Sequence, residues 1–271
     1  MRIALGQTAS GPEKDANLRR MLAMTEEAAR AGARLVLFPE GAMANPPPGQ
    51  DLAPLAEPLE GPFVTALAEA ARRHGLAVVA GLFEPVPGER RVFNTVVVLG
   101  PDGQRVGAYR KIHLYDAFGF RESERIRAGD GNTLVFALDG ITIGVEICYD
   151  VRFPELTRYL AGLGAQVVLL PSAWLHGHLK ESHWEVLVRA RAIENTVYVA
   201  ATGMTGRQFS ASSMLVDPMG VAVARAGEAE AVVVGEVDPE RVRVVRRSNP
   251  SLENVRPDLY ARWLPEPVTK I

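Results

Sequence analysis

Short apolar runs alternating with amphipathic stretches are what most restrict the folding of this chain. Leu35–Phe38, Ala77–Phe83, Asn94–Leu99, Ile141–Ile147, Val167–Leu170 and Val197–Ala201 read as strands. Helical spacing fills intervals at Asp15–Ala31, Pro62–His74, Pro154–Leu163, His183–Glu194 and Pro239–Arg247. A strand, a helix and a further strand in repetition build a layered α/β fold, because each helix covers one face of the sheet to which it returns the chain. Later the spacing tightens to Ser213–Val216, Val221–Arg225 and Ala231–Val237, separated by Pro218-Met-Gly220 and Gly227-Glu-Ala229. That pattern predicts a meander, and hence mixed rather than purely parallel sheets.

No Gly/Ser-rich linker, charge block or internal repeat divides the 271 residues, so a single domain over 1–271 is expected. From about residue 250 onward, Pro250, Pro257, Pro265 and Pro267 exclude a long helix and predict an extended tail over the body or a partner subunit. A formal charge of -2 lacks the basic excess of a general nucleic-acid binder, and no apolar run approaches a membrane span. The strand pattern begins at the N-terminus with no secretory signal ahead of it, and the one cysteine allows no internal disulfide. A cytoplasmic compartment is the expectation.

That cysteine, Cys148, stands where the alternating strand Ile141–Ile147 breaks, just before Pro154 and Glu155 open a helix. The carboxyl ends of strands in open α/β sheets are where ligands meet the protein. A lone thiol is more commonly a small buried hydrophobe, but two other strands share its setting. Arg34–Pro39 ends on Glu40, and Arg105–Arg110 ends on Lys111. A thiol needs a base to become a nucleophile, and a tetrahedral oxyanion needs a fixed positive donor. Composition sharpens Lys111: only four residues are lysine against 26 arginines, so a lysine behind an apolar strand suggests a need for a compact ammonium that Arg's planar fork cannot mimic. Singly, Glu40 reads as a solvated loop residue and Lys111 as a snorkelling cation; the three together favour chemistry.

Phe38-Pro-Glu40, Arg110-Lys111-Ile-His113-Leu114 and Ile147-Cys148-Tyr-Asp150-Val-Arg152-Phe-Pro-Glu155 resemble the three catalytic motifs of the nitrilase superfamily of carbon-nitrogen hydrolases. The likeness continues through His183–Asn195, Met214–Pro218 and Arg256–Tyr260, with separations of 71 residues from Glu40 to Lys111 and 37 from Lys111 to Cys148. The resemblance implies a four-layer αββα sandwich with mixed sheets, subunits paired into a homodimer or higher homo-oligomer, and a Glu-Lys-Cys triad. It also implies a second glutamate, which maps best to Glu122, although Glu124 is two residues away. Ala128-Gly129-Asp130 stands where members often have Pro-Gly-Asp.

The implied chemistry is attack by Cys148 on an amide carbonyl with Glu40 as proton carrier, Lys111 and the Tyr149 backbone N–H holding the oxyanion, and no metal or cofactor. The residues after Cys148 look like the branch containing ω-amidases and deaminated glutathione amidases, which favours a small carboxamide, preferably one carrying a carboxylate, over a nitrile. Arg152 matches a position that contacts substrate carboxylate in related N-carbamoyl amino acid hydrolases; a structural pair with Asp150 or Glu155 is the competing reading. Nitrile or N-carbamoyl hydrolysis, and a non-catalytic scaffold of the same fold, are the alternatives. His176, His178 and His183 are zinc-ligand types without supporting cysteine or carboxylate in register, so they read as a polar rim. Asn45-Pro-Pro-Pro48 reads as a stiff loop placed to form a pocket wall.

Overall fold

The computed structural model describes residues 1–210 and 212–263. Its elements run β1 (Arg2–Gln7), α1 (Lys14–Arg30), β2 (Leu35–Leu37), α2 (Pro62–His74), β3 (Ala77–Pro85), β4 (Val92–Leu99), β5 (Arg105–Arg110), β6 (Asp116–Ala117), β7 (Phe120–Arg121), β8 (Leu134–Leu138) and β9 (Ile141–Val145). There follow α3 (Pro154–Gly162), β10 (Val167–Ser172), α4 (Lys180–Asn195), β11 (Tyr198–Gly203), β12 (Met214–Val216), β13 (Ala222–Arg225), β14 (Ala231–Glu236), α5 (Pro239–Ser248) and α6 (Pro257–Trp263).

Two six-stranded sheets stack face to face, ordered β14-β1-β2-β3-β4-β5 and β13-β12-β11-β10-β9-β8. Each is mixed: β1, β2 and β3 run parallel, as do β9, β10 and β11, with antiparallel strands outside them. Strand alternation explains the layering. Ile3, Leu5, Leu35, Leu37, Ala77 and Val79 point into the core shared with the second sheet. Their neighbours Ala4, Val36 and Val78 point the other way, against Met21 and Ala28 of α1 and Phe63 and Leu67 of α2. These strands therefore read as continuous apolar runs because both faces are covered. On the far side α3 packs on β9 and α4 on β11, which completes the expected αββα order.

Helix limits follow ordinary capping chemistry. Pro62, Pro154 and Pro239 each occupy a first turn, where the missing N–H costs nothing, and Asp238 accepts a hydrogen bond from the Glu240 N–H.

Two expectations change. The predicted meander divides: β12 and β13 pair in the second sheet, whereas β14 crosses to pair with β1 from Arg2↔Glu236 to Gln7↔Ala231. The short turn segments are compatible with either pairing, and the open edge of β1 decides it. In the tail, Pro257 opens the seven-residue helix α6 where extended chain was expected, since proline at a first helical position starts a helix rather than breaking it. Pro265 and Pro267 lie outside the described residues.

Candidate active site

Parallel strands from both sheets deliver their carboxyl ends to one place. Glu40 follows β2, Cys148 follows β9 and Ala173 follows β10, while Lys111 follows the antiparallel β5. All four line a cavity of about 910 Å³ including its open mouth.

Glu40, Lys111, Cys148 and Glu122 are all buried. Lys111 Nζ donates to Glu40 Oε1 at 2.8 Å and to Glu122 at 3.1 Å (Oε1) and 2.9 Å (Oε2). The second Glu40 oxygen accepts the Ala173 backbone N–H at 2.8 Å, and Glu122 Oε2 accepts that of Tyr115 at 2.6 Å. Glu124 is exposed, so of the two neighbouring glutamates it is Glu122 that enters the cluster.

The backbone explains how Cys148 is aimed. Its φ is +46°, in the left-handed region, which costs a non-glycine residue roughly 1–2 kcal/mol and is kept only where surrounding structure enforces it. Asp150, wholly buried, provides that enforcement. Its Oδ2 accepts the Ile147 N–H and the Tyr109 hydroxyl, both at 2.8 Å, and its Oδ1 lies 2.7 Å from His113 Nδ1. The cysteine begins a short 3₁₀ turn, Cys148–Arg152. Tyr149 is thus the second residue of that turn, where backbone N–H groups have no acceptor within the helix.

The charges are interlocked. Burial by itself would raise the Glu40 carboxyl, but the Lys111 ammonium and a hydrogen bond from the Cys148 thiol hold it below the usual carboxylate range. Burial likewise works against the Lys111 ammonium, yet Glu122 and Glu40 raise it well above an ordinary lysine. The Cys148 thiol is pushed well up by burial and by the Glu40 charge, against the pull of Lys111. The resting site therefore holds a neutral thiol beside an ionised carboxylate. Such a pair has the geometry and charge to pass a proton from sulfur to oxygen.

Several contributors escape a reading of the sequence. Asn94, buried in β4, donates from Nδ2 to Glu40 Oε1 at 2.7 Å and to Glu122 Oε1 at 3.1 Å. The polar pair Asn94-Thr95 opening the apolar run Val96–Leu99 is the signal that marks it. Tyr115, Trp174 and Lys180 also line the cavity, as do Asn45, Pro46 and Pro48 of the stiff loop. Arg152 is not among the lining residues. Its guanidinium stacks over Trp174 at 4.9 Å and approaches His183 Nδ1 at 3.4 Å, whereas Asp150 is engaged elsewhere. Among the described residues no grouping of His, Cys, Asp and Glu has the spacing to hold a metal ion.

The sequence profile of the carbon-nitrogen hydrolases matches residues 2–247. The chain belongs to the carbon-nitrogen hydrolase family. It is 38% identical to the deaminated glutathione amidase of Escherichia coli O157:H7 over 258 residues, covering 94% of this chain and 97% of that one. With an omega-amidase of Xenopus tropicalis it shares 36% identity over 272 residues, 96% of each chain. Its fold matches that of the amidase from Nesterenkonia sp. AN1 with a TM-score of 0.86 and 28% identity, over 97% of this chain and 100% of that one. That structure, of a glutamate-to-glutamine mutant of the Nesterenkonia amidase, shows acrylamide added to its active-site cysteine. The family thus consists, among these relatives, of nitrilase-superfamily amidases, and the likeness spans nearly the whole chain.

Proposed function

We propose that this protein hydrolyses a small carboxamide to acid and ammonia through a thioester on Cys148. The observation that carries the reading is the buried thiol lying against an ionised Glu40 that Lys111 ties to Glu122. Sγ attacks the amide carbonyl carbon as Glu40 takes the thiol proton, and the new oxyanion is held by Lys111 and the Tyr149 N–H. The C–N bond then breaks, with Glu40 giving its proton to the departing nitrogen. Water enters, loses a proton to Glu40 and attacks the thioester. The C–S bond breaks, and Glu40 returns the proton to sulfur. Glu122 serves as a positioning residue that fixes the Lys111 ammonium. The protons moved in this sequence come from the Cys148 thiol and the entering water, and the oxyanion donors are Lys111 and a backbone N–H, so the reading needs no metal or organic cofactor. Chelator dialysis is expected to leave turnover intact.

The test is Cys148→Ala. Ammonia release from wild-type substrates is expected to vanish while thermal unfolding stays within a few degrees, since one small side chain leaves a large core. A mass increment equal to the acyl group should trap on Cys148 in the wild type after rapid acid quench. Wild-type rates in the alanine variant would end the assignment.

Assembly as a homodimer belongs to the same reading. Val186 and Ile193 of α4 and Met219 and Val221 beside them are exposed apolar side chains, which supports a second copy packing there. Sedimentation at twice the chain mass is the expected result, and a monomer at micromolar concentration would remove the proposal.

A further inference from the structure

Two of the chain's four lysines line the same cavity, Lys111 and Lys180, and only the first has carboxylate partners. Lys180 is 3% exposed. Its Nζ donates to Tyr115 Oη at 2.9 Å and lies over the rings of Tyr115, Phe118 and Trp174 at 4.6, 4.8 and 4.6 Å. Among the described residues it has no acidic neighbour in ion-pair range. A buried ammonium is costly without an opposite charge, and ring faces and one hydroxyl offset only part of that cost. Burial accordingly pulls the Lys180 pKa down.

The backbone around Lys180 is arranged to turn this side chain inward. Leu179, just before it, has φ +56°, a left-handed conformation unusual for leucine. At Gly177 any Cβ would come within 2.9 Å of Lys180 Cγ, so the lysine stem occupies space that a side chain there would take. Trp174 holds both ends, its ring under the ammonium and its Nε1 donating to the Lys180 carbonyl at 2.8 Å. Tyr115 connects this cage to the reacting cluster, because its ring and hydroxyl meet Lys180 while its N–H bonds Glu122.

We propose that Lys180, in its aromatic cage, is the specificity-determining residue that binds a carboxylate on the acyl part of the substrate. This rests on the amide-hydrolase reading and deepens it. Arg152, the residue that sequence resemblance nominates for this role, sits outside the cavity lining. The cage supplies the geometry of selection. An anion entering the cavity meets an ammonium that has no carboxylate partner among the described residues, whereas a neutral chain gains only ring contacts.

The experiment compares kcat/KM for succinamate and glutaramate with that for butyramide, in the wild type, Lys180→Met and Lys180→Arg. Loss of a hydrogen bond to a charged group is worth about 10–100-fold, so the anionic-to-neutral ratio should fall by that factor in Lys180→Met, chiefly through KM. The arginine variant should retain most of the ratio. Methionine fits an aromatic cage, and thermal unfolding checks that the variant is folded. A second readout does not need turnover: glutarate should protect Cys148 from iodoacetamide in the wild type, and Lys180→Met should need at least about tenfold more glutarate. Ammonia release with an unchanged ratio and no protection by glutarate overturns the Lys180 assignment and leaves the hydrolase reading standing. Protection that depends on Lys180 without ammonia from any amide supports the anion site and removes the amide-hydrolase reading instead.

Discussion

Lys111 stands between Glu40 and Glu122, donating to both, and a point charge with three rotatable donors suits that position. Lys111→Arg keeps the charge but presents a planar fork that cannot occupy the same small volume. Loss of kcat by about 10²–10³-fold is expected, the usual cost of removing one oxyanion donor, with the fold retained by circular dichroism. Near-native kcat would reduce Lys111 to a general positive field. Asn94 is the second residue to test. One amide group bonds two carboxylates that otherwise repel, so Asn94→Ala should lower kcat/KM by about 10–100-fold. Asn94→Asp, which adds a third carboxylate to the cluster, should be worse. Equal activity in the alanine variant would show that Lys111 and the Ala173 and Tyr115 N–H groups hold both glutamates without it. The meeting of Glu40, Lys111 and Cys148 in one cavity was legible because each ends a strand run, and strand ends from separate strands can converge. Asn94, Tyr115 and Lys180 were not, since their roles depend on which strand end or loop they meet across the sandwich.

At the scale of elements, the turn that carries Glu40 lies directly on β3. A Cβ at Gly81 would stand 2.5 Å from Gly41 N, 2.7 Å from Pro39 O and 2.9 Å from Glu40 Cα. All three are backbone atoms, so nothing flexible can give way. Gly81→Ala should therefore push the Glu40 turn off its position, with kcat reduced by at least about tenfold and the melting temperature lowered by several degrees. Kinetics beside a thermal scan check it; unchanged kcat would mean that β3, not the Glu40 turn, does the moving. Most elements could be read from local pattern, because buried strands are uniformly apolar and helices begin on Pro62, Pro154 and Pro239. The β8–β9 hairpin went unread although Asp139-Gly140 marks it: both have positive φ, +50° and +77°, as a two-residue turn between right-twisted strands requires. The sheet exchange of β14 had no local signal. Its partner β1 is more than 200 residues away, and only the assembled edge selects it.

For the molecule as a whole, Glu146 joins the second sheet to the helices covering it, and this should appear in how stability depends on pH. It lies between β9 and Cys148, is fully buried, and its Oε2 accepts the hydroxyl of Thr157 on α3 at 2.8 Å. Burial, chiefly, pushes its pKa up to about 8, Asp150 and Glu194 adding to the rise and the Thr157 hydrogen bond and Arg191 opposing it. The folded protein thus keeps this carboxyl protonated at neutral pH, while the unfolded chain ionises it at an ordinary value of about 4.3. Between those limits the folded state binds the extra proton. The stability that Glu146 contributes is therefore complete at acid pH, falls by up to about 1.4 kcal/mol per pH unit as pH rises, and levels off above the folded value. Glu146→Gln keeps an acceptor for Thr157 but has no proton to lose. Denaturant unfolding of both proteins at pH 5.5, 7 and 8.5 should show the variant gaining on the wild type at each step, since all other titrating groups are common to the pair. A difference that stays constant across the three pH values would mean that Glu146 is ionised within the fold, and that the α3–β9 contact holds a charge rather than a neutral acid.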